Sequence, residues 1–250
     1  MYAQRGMALA LAGAAVYLIA LLLHDIGLAD LRLREAQARE AMSRLQTRDA
    51  QLQVLRAQIN PHFLFNSLNS ISALTTQSPA DARTMTLELA AFFRKTLQSA
   101  ESERIALSDE VALCTHFLAV EKIRYGDRLQ THIDIAEGAQ AAFILPMLLQ
   151  PCVENAVKHG IRHLPEGGCI AVQAHIQGPW LYVTVVNPAD PEAPRAEGTG
   201  MGLGNIRQRV AAAYGERARV AWRRLPDSFS VEIVLPMQVP ANPLLKDPLP

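Results

Sequence analysis

In Pro61-His62-Phe63-Leu64-Phe65-Asn66-Ser67-Leu68-Asn69, helical spacing puts His62, Asn66 and Asn69 on one polar stripe. Ile59, Phe63, Leu64, Leu68 and Ile71 form a broad apolar face beside it. An unperturbed imidazole is largely neutral, and so nucleophilic, at neutral pH. Asn66, one turn on, could hydrogen-bond that ring or a group being transferred to it. Pro61 has no N–H to give the carbonyl of Ala57, which predicts a kink just before the histidine in any helix running through. Taken alone, a single histidine on an amphipathic helix is more often a plain surface residue.

A second group is Glu154-Asn155-Ala156-Val157-Lys158-His159. Asn155, Lys158 and His159 stand at i, i+3 and i+4, so an amide, an ammonium and an imidazole share a helix face. An amide oxygen suits a hard cation such as Mg²⁺, which keeps several waters and takes its other ligands from nucleotide phosphates. Lys158 or His159 could neutralise phosphate charge, although an ordinary exposed helix end carries such residues too. A third group is Gly198, Gly200, Gly202 and Gly204, alternating with Thr199, Met201 and Leu203 just before a predicted helix. Glycines let backbone take positive φ and approach phosphate, and a helix start offers free N–H groups. No Gly-Lys-Ser/Thr ending is present, so the loop is not a P-loop.

The string from Gln58 to Asn66 resembles the phosphoacceptor box of the LytS/AlgZ-type sensor histidine kinases. The resemblance continues through Phe117-Leu118-Ala119-Val120-Glu121-Lys122-Ile123-Arg124-Tyr125-Gly126-Asp127-Arg128-Leu129, the stretch from Leu149 to Gly160, and Gly198 to Asn205. It covers roughly residues 50 to 236. It implies that His62 accepts a phosphoryl group from ATP, with Asn66 and Glu154 also among the catalytic residues. It makes Asn155 the magnesium-binding asparagine of a Bergerat-type ATP site, with Lys158 and His159 in the nucleotide site and the four glycines as the hinge of an ATP lid. The partners it implies are a cytoplasmic response regulator and a second copy of the chain.

Two departures from the wider kinase pattern stand out. Phe63 sits where many histidine kinases outside this branch have an acid beside the histidine, which leaves the general base unassigned. Val185-Val186-Asn187-Pro188 stands where related kinases carry the Asp-x-Gly-x-Gly turn that accepts from the adenine amino group. Asn187 can accept through its amide oxygen, but a neutral acceptor is weaker than a charged one. On that reading Asn187→Asp is expected to tighten ATP.

The elements that must position these groups follow from pattern. Residues 7–23 are uncharged and apolar, at the lower limit for a membrane-spanning helix. A signal peptide is the rival, and a retained anchor is preferred because secretion would remove the rest from ATP. Arg5 precedes the run, whereas Arg32, Arg34 and Arg39 follow it, which points the C-terminal side to the cytoplasm of a bacterial inner membrane. With about six residues ahead of the run no external sensor domain is expected, and the stimulus is expected to reach the chain through the membrane helix, a partner protein or residues upstream of Met1. Residues 30–59 lack Gly and Pro, and Leu31, Ala38, Leu45, Leu52 and Ile59 repeat every seven residues, a weak coiled-coil seam. Ser78-Pro79-Ala80-Asp81 starts a second helix with Met85, Leu89, Phe92, Phe93 and Leu97, giving a hairpin around Gln77 that two chains could build into a four-helix bundle. A third helix is expected from a Ser108 cap to Tyr125, closed by Gly126.

From residue 129 the pattern changes to mixed α/β: a strand at 129–135, a helix at 146–159 stopped by Gly160, strands at 170–176 and 181–186, a loop at 187–202, a helix at 203–214 and strands at 218–224 and 228–235. The last eleven residues hold four prolines and read as a disordered tail. Lys plus Arg and Asp plus Glu both number 24, and no basic run argues for nucleic acid as a partner. Cys114, Cys152 and Cys169 have no metal-binding spacing and are expected to be packed in a reducing compartment.

The fold class expected is α plus α/β: a membrane anchor (1–28), a helical linker (29–58), dimerisation and phosphoacceptor helices (59–126), a Bergerat-type α/β sandwich that binds ATP (127–238) and a tail (239–250). The function expected is a dimeric, membrane-anchored sensor kinase using ATP and Mg²⁺. The alternatives are a catalytically weak relative acting as phosphatase or scaffold for its regulator, suggested by Asn187-Pro188, and a nucleotide-hydrolysing clamp or chaperone ATPase.

Overall fold

The computed structural model describes Met42 and residues 61–100, 102–190 and 200–237. The apolar run at 7–23, the heptad positions Leu31, Ala38, Leu45, Leu52 and Ile59, the kink expected ahead of His62, Gly198 and the tail lie outside the described residues. No helix among the described residues is long and apolar enough to cross a membrane. The chain divides into two units at Ile59/Asn60, and the described residues other than Met42 fall in the second.

Helix α1 is Pro61–Gln77. Helix α2 is Pro79–Ala100. Ser78 joins them: its N–H donates to Leu74 O at 2.8 Å, Ala82 N–H donates to Ser78 O, and Ser78 Oγ donates to Asp81 at 2.7 Å. The ring of Phe63 near one end of α1 meets Phe92 far along α2, so the pair is the expected antiparallel hairpin.

Strand β1 (Ile105–Ala106) leads directly into helix α3 (Leu107–Tyr125). The expected Ser108 cap is not used. Leu107 N–H donates to Ala142 O at 2.8 Å, and β1 pairs antiparallel with β3 (Phe143–Ile144), so a strand delivers the chain to the helix and Ser108 lies inside the first turn. Gly126 closes α3 as expected, with φ +58° and its N–H on Lys122 O. Strand β2 is Leu129–Ile135, and a short helix α4 (Glu137–Gln140) precedes β3.

Helix α5 is Gln150–Ala156, followed without a break by a π-helical turn, Val157–Ile161. It starts four residues later than expected because residues 146–149 form a tight turn in which Met147 takes φ +57°. It also runs past Gly160, which is buried rather than terminal. A Cβ on Gly160 would meet Asn187 Nδ2 at 2.7 Å and Pro188 O at 2.8 Å, so glycine is there for the close approach of a strand.

Strands β4 (Gly168–Gln177) and β5 (Trp180–Pro188), helix α6 (Gly200–Tyr214) and strands β6 (Arg219–Arg224) and β7 (Ser228–Pro236) complete the chain. The sheet order is β2-β4-β5-β7-β6, with β2 and β4 parallel and every other neighbour antiparallel. Asn187 and Pro188, expected in a loop, instead extend β5 opposite Phe229 and Ser228. Gly200 and Gly202, also expected in the loop, belong to α6 together with Gly204; Gly202 and Gly204 are not among the glycines with positive φ.

Alternation places Ile170, Val172 and Ala174 of β4, Leu181, Val183 and Val185 of β5, and Val231, Ile233 and Leu235 of β7 on one buried face. Leu113, Cys114, Phe117 and Leu118 of α3, Val153 of α5, and Leu203, Ile206 and Val210 of α6 join the same core. The other face leaves Gln173, His175 and Glu232 exposed, as expected for helices layered on one side of a mixed sheet. The hairpin docks on α3 through Phe63, Phe92 and Phe117, with ring centroids 4.9–6.0 Å apart. His116 on Glu88 at 2.7 Å and Lys95 on Asp109 at 3.0 Å tie the same helices at their rims. Cys114 and Cys152 are buried, but Cys169 is exposed because its position in β4 faces the open side, against the expectation that all three are packed.

Candidate functional site

His62 is exposed in the first turn of α1, while its neighbour Phe63 is buried in the aromatic cluster. The packed phenylalanine therefore fixes the rotation of α1 and turns the imidazole outward. Asn66 Nδ2 lies 3.1 Å from Nδ1 and 3.0 Å from Nε2 of His62. Whichever ring nitrogen lacks a proton can accept from this amide, so the expected His62–Asn66 pairing is present. Among the described residues Asn66 is the one hydrogen-bond partner of His62.

Asn155 lies near the end of α5, half-buried, and makes no side-chain hydrogen bond among the described residues. Its amide is thus available to a ligand. Glu154 accepts from Gln150 Nε2 at 2.8 Å. Lys158 is exposed in the π turn, and His159 beside it is half-buried. Burial, then the charges of Lys158 and His163, pushes His159 below the usual imidazole range. The neutral ring is a hydrogen-bonding group at neutral pH, and Lys158 is the cation of the pair. The π turn changes the angular step after Ala156, so the simple i, i+3, i+4 face does not carry over unchanged.

Asn187 is only 4% exposed at the end of β5, against Gly160 of the π turn. Its Nδ2 donates to Pro188 O at 2.7 Å, leaving the amide oxygen as the atom that can accept from a ligand. This geometry reverses the expectation for Asn187→Asp. A carboxylate there would set an oxygen against the Pro188 carbonyl where an N–H now donates, inside a buried site. Gly202 and Gly204 occupy the first turns of α6, and a Cβ on either would meet nothing within 4 Å.

Several residues that frame this group were not singled out by pattern. Glu110 of α3 is fully buried and accepts from the N–H groups of Met147 (2.9 Å), Leu149 (3.0 Å) and Gln150 (3.2 Å). Burial raises its carboxyl above the ordinary range, and the N–H donors oppose that shift. Glu121, also buried, accepts from Arg124 Nη1 at 2.6 and 2.8 Å. Burial raises its carboxyl and Arg124 pulls it back. Arg128 Nη2 donates to Ile161 O and Leu164 O at the far end of the π turn. Arg209 of α6 donates to Met147 O at 2.9 Å and Pro146 O at 2.6 Å. A sequence signal for the two acids existed: Leu107, Glu110, Cys114, Phe117 and Glu121 recur at three- and four-residue steps, so both carboxylates fall on the apolar stripe of α3. Burial also pushes the Cys152 thiol up to about 12, which makes it an inert packing group.

Residues 50–129 match the family model described as Histidine kinase. That segment is of the histidine kinase family. Sensor protein LytS of Staphylococcus haemolyticus (strain JCSC1435) is 33% identical over 236 residues, covering 88% of this chain and 39% of that protein. Sensor histidine kinase BtsS of Escherichia coli (strain K12) is 33% identical over 181 residues, 72% of this chain and 32% of its own length. The chain thus spans well under half the length of these curated relatives. Among solved structures, the catalytic domain of histidine kinase ThkA superposes at a TM-score of 0.44 with 14% identity, over 53% of this chain and 95% of that one. That superposition is too loose to bear on the fold, which rests on the strand order above.

Proposed function

We propose that this chain is the kinase part of a sensor of the LytS kind, transferring the γ-phosphoryl group of ATP to His62 and then to an aspartate of a response regulator. The observation that carries the reading is an exposed imidazole paired with Asn66, inside the segment matched to the histidine kinase family. In the transfer a ring nitrogen of His62 forms a bond to the γ-phosphorus while the bond to the bridging β,γ-oxygen breaks, ADP departs, and the proton on the other ring nitrogen can pass to solvent. A lone pair that accepts from Asn66 is not free to attack, so Asn66 must release the nitrogen that reacts. The amide can then turn to the incoming phosphoryl oxygens.

Asn155, half-buried with an unengaged amide, fits a site for Mg²⁺ bound mainly by water and phosphate oxygens. Bound there, the ion would neutralise charge on the transferring phosphate. Lys158 adds a cation beside it, Gly200, Gly202 and Gly204 of α6 would take the phosphates, and the Asn187 amide oxygen would accept from the adenine amino group. Gly198 is assigned to the same lid by pattern. The division at residue 126, between helices that carry His62 and the sheet that holds nucleotide, belongs to this reading, as do the membrane anchor at 7–23 and the cytoplasmic location of the rest. Phe65, Leu68, Leu87 and Leu97 are large exposed apolar side chains on α1 and α2, a surface that a second copy would cover.

The buried Asn187 favours one second reading, in which weak adenine recognition leaves a scaffold or phosphatase for the same regulator. Incubation with γ-labelled ATP separates the two. Label on wild type that is lost in acid, survives base and is absent from His62→Gln is the expected result; no label on wild type selects the scaffold, and equal label on the variant moves the acceptor elsewhere.

A further inference from the structure

The turn at 146–150 is gripped from two sides. On its N–H side the buried Glu110 of α3 takes the donors of Met147, Leu149 and Gln150. On its carbonyl side Arg209 of α6 holds Pro146 O and Met147 O. Between these two charges Met147 keeps φ +57°, a conformation that non-glycine residues adopt only where the surroundings impose it. The hold reaches the candidate metal site by a short relay: Gln150, whose N–H is on Glu110, donates its side chain to Glu154, the residue ahead of Asn155. Gln150 Oε1 is buried with no donor among the described residues, so the amide is committed through its nitrogen alone.

We propose that this turn is a joint through which α3 and α6 together fix the direction of α5, with Glu110 and Arg209 as positioning residues for Asn155. The inference rests on the kinase reading for its consequence, though not for the mechanics of the joint. α3 carries the aromatic contact to α1, and α6 contains Gly200, Gly202 and Gly204, so the joint links the helix bearing His62, those glycines and the metal-binding helix. A buried carboxylate accepting several backbone donors is exacting about distance, and an arginine fork on two adjacent carbonyls is exacting about angle. Movement of either parent helix would therefore turn α5 rather than slide past it.

The test uses the full chain carrying Glu110→Gln, Arg209→Gln and both together. Hydrogen–deuterium exchange should quicken at 147–156 in each single variant, leave β4 and β5 unchanged, and quicken less in the double variant than the product of the two effects. Mg²⁺ titrated into chain and ATP should show a half-saturating concentration raised about tenfold or more, as for other residues that orient a metal ligand, with metal-free ATP binding unmoved. Arg209→Lys, which keeps the charge without the fork, should recover only part. Unchanged exchange at 147–156, or faster exchange spread equally over β4 and β5, overturns the joint. If Glu110→Gln does not fold, the exposed Arg209 variants decide by the same two readouts. If wild type binds no Mg²⁺-ATP, the kinase reading falls and the exchange pattern still decides whether the joint exists.

Discussion

The two halves of the candidate site are held in opposite ways. His62 stands in solvent on α1, positioned by the packing of its neighbour Phe63 and by one amide. The Asn155 helix is tied at its start by Glu110 and Arg209 and at its end by Arg128, with buried carboxylates behind it. On the proposed reading the difference matches the division of labour. A group that must meet first a nucleotide and then a second protein has to be reachable, whereas one that orients phosphates has to be rigid before they arrive. The carboxyl that ties the start of α5, Glu110, is buried, and burial raises it above the ordinary range.

The comparison breaks most sharply at Asn155. Asn155→Ala should remove Mg²⁺-dependent labelling of His62 while thermal unfolding stays cooperative, because the side chain bonds no described residue. Loss of cooperative unfolding would make it a structural residue instead. The anchoring role of Phe63 predicts a contrast within one turn of α1. Phe63→Ala should destabilise by about 3–5 kcal/mol, as for other buried aromatics, whereas Phe65→Ala, at a position 66% exposed, should change monomer stability by less than about 0.5 kcal/mol. Chemical denaturation of both variants checks this, and equal losses would mean that Phe63 does not set the rotation of α1.

Asn187→Asp sharpens the rigid half. Reversing the donor on Pro188 O should cost roughly 1–3 kcal/mol of stability, and calorimetry should show ATP binding weakened rather than tightened. Tighter ATP with unchanged stability would place the amide nitrogen, not the oxygen, toward the ligand.

The smallest effect concerns pH. His159 is held below the usual imidazole range, so between that lowered value and the ordinary one the unfolded chain binds more protons than the folded one. Stability should therefore rise with pH through that window and fall as the pH drops back through it. His159→Gln should flatten the slope there. Glu110 and Glu121 act in the opposite direction at lower pH: their raised carboxyls make stability fall as pH rises from the ordinary carboxylate range toward the shifted one. A slope near neutrality that survives His159→Gln would assign it to another group.

Period and punctuation in the sequence were enough for the hairpin, the order of the long strands and helices from residue 129 onward though not the short α4 and β3 among them, the Gly126 stop and the pairing of His62 with Asn66. Each depends on neighbours within a few positions: an apolar repeat, a proline at a helix start, a residue one turn away. The tertiary structure alone decided the rest. It moved the start of α5 to Gln150, because the donors of residues 147–150 are taken by a carboxylate some forty positions earlier in the chain. It drew Asn187-Pro188 into β5, because Phe229 and Ser228 continue the ladder beside them. It also put Gly200 and Gly202 inside α6 and opened Cys169 to solvent. These outcomes depend on which partner a buried donor finds, or on which face of a sheet is covered, and local sequence carries neither until the chain has folded.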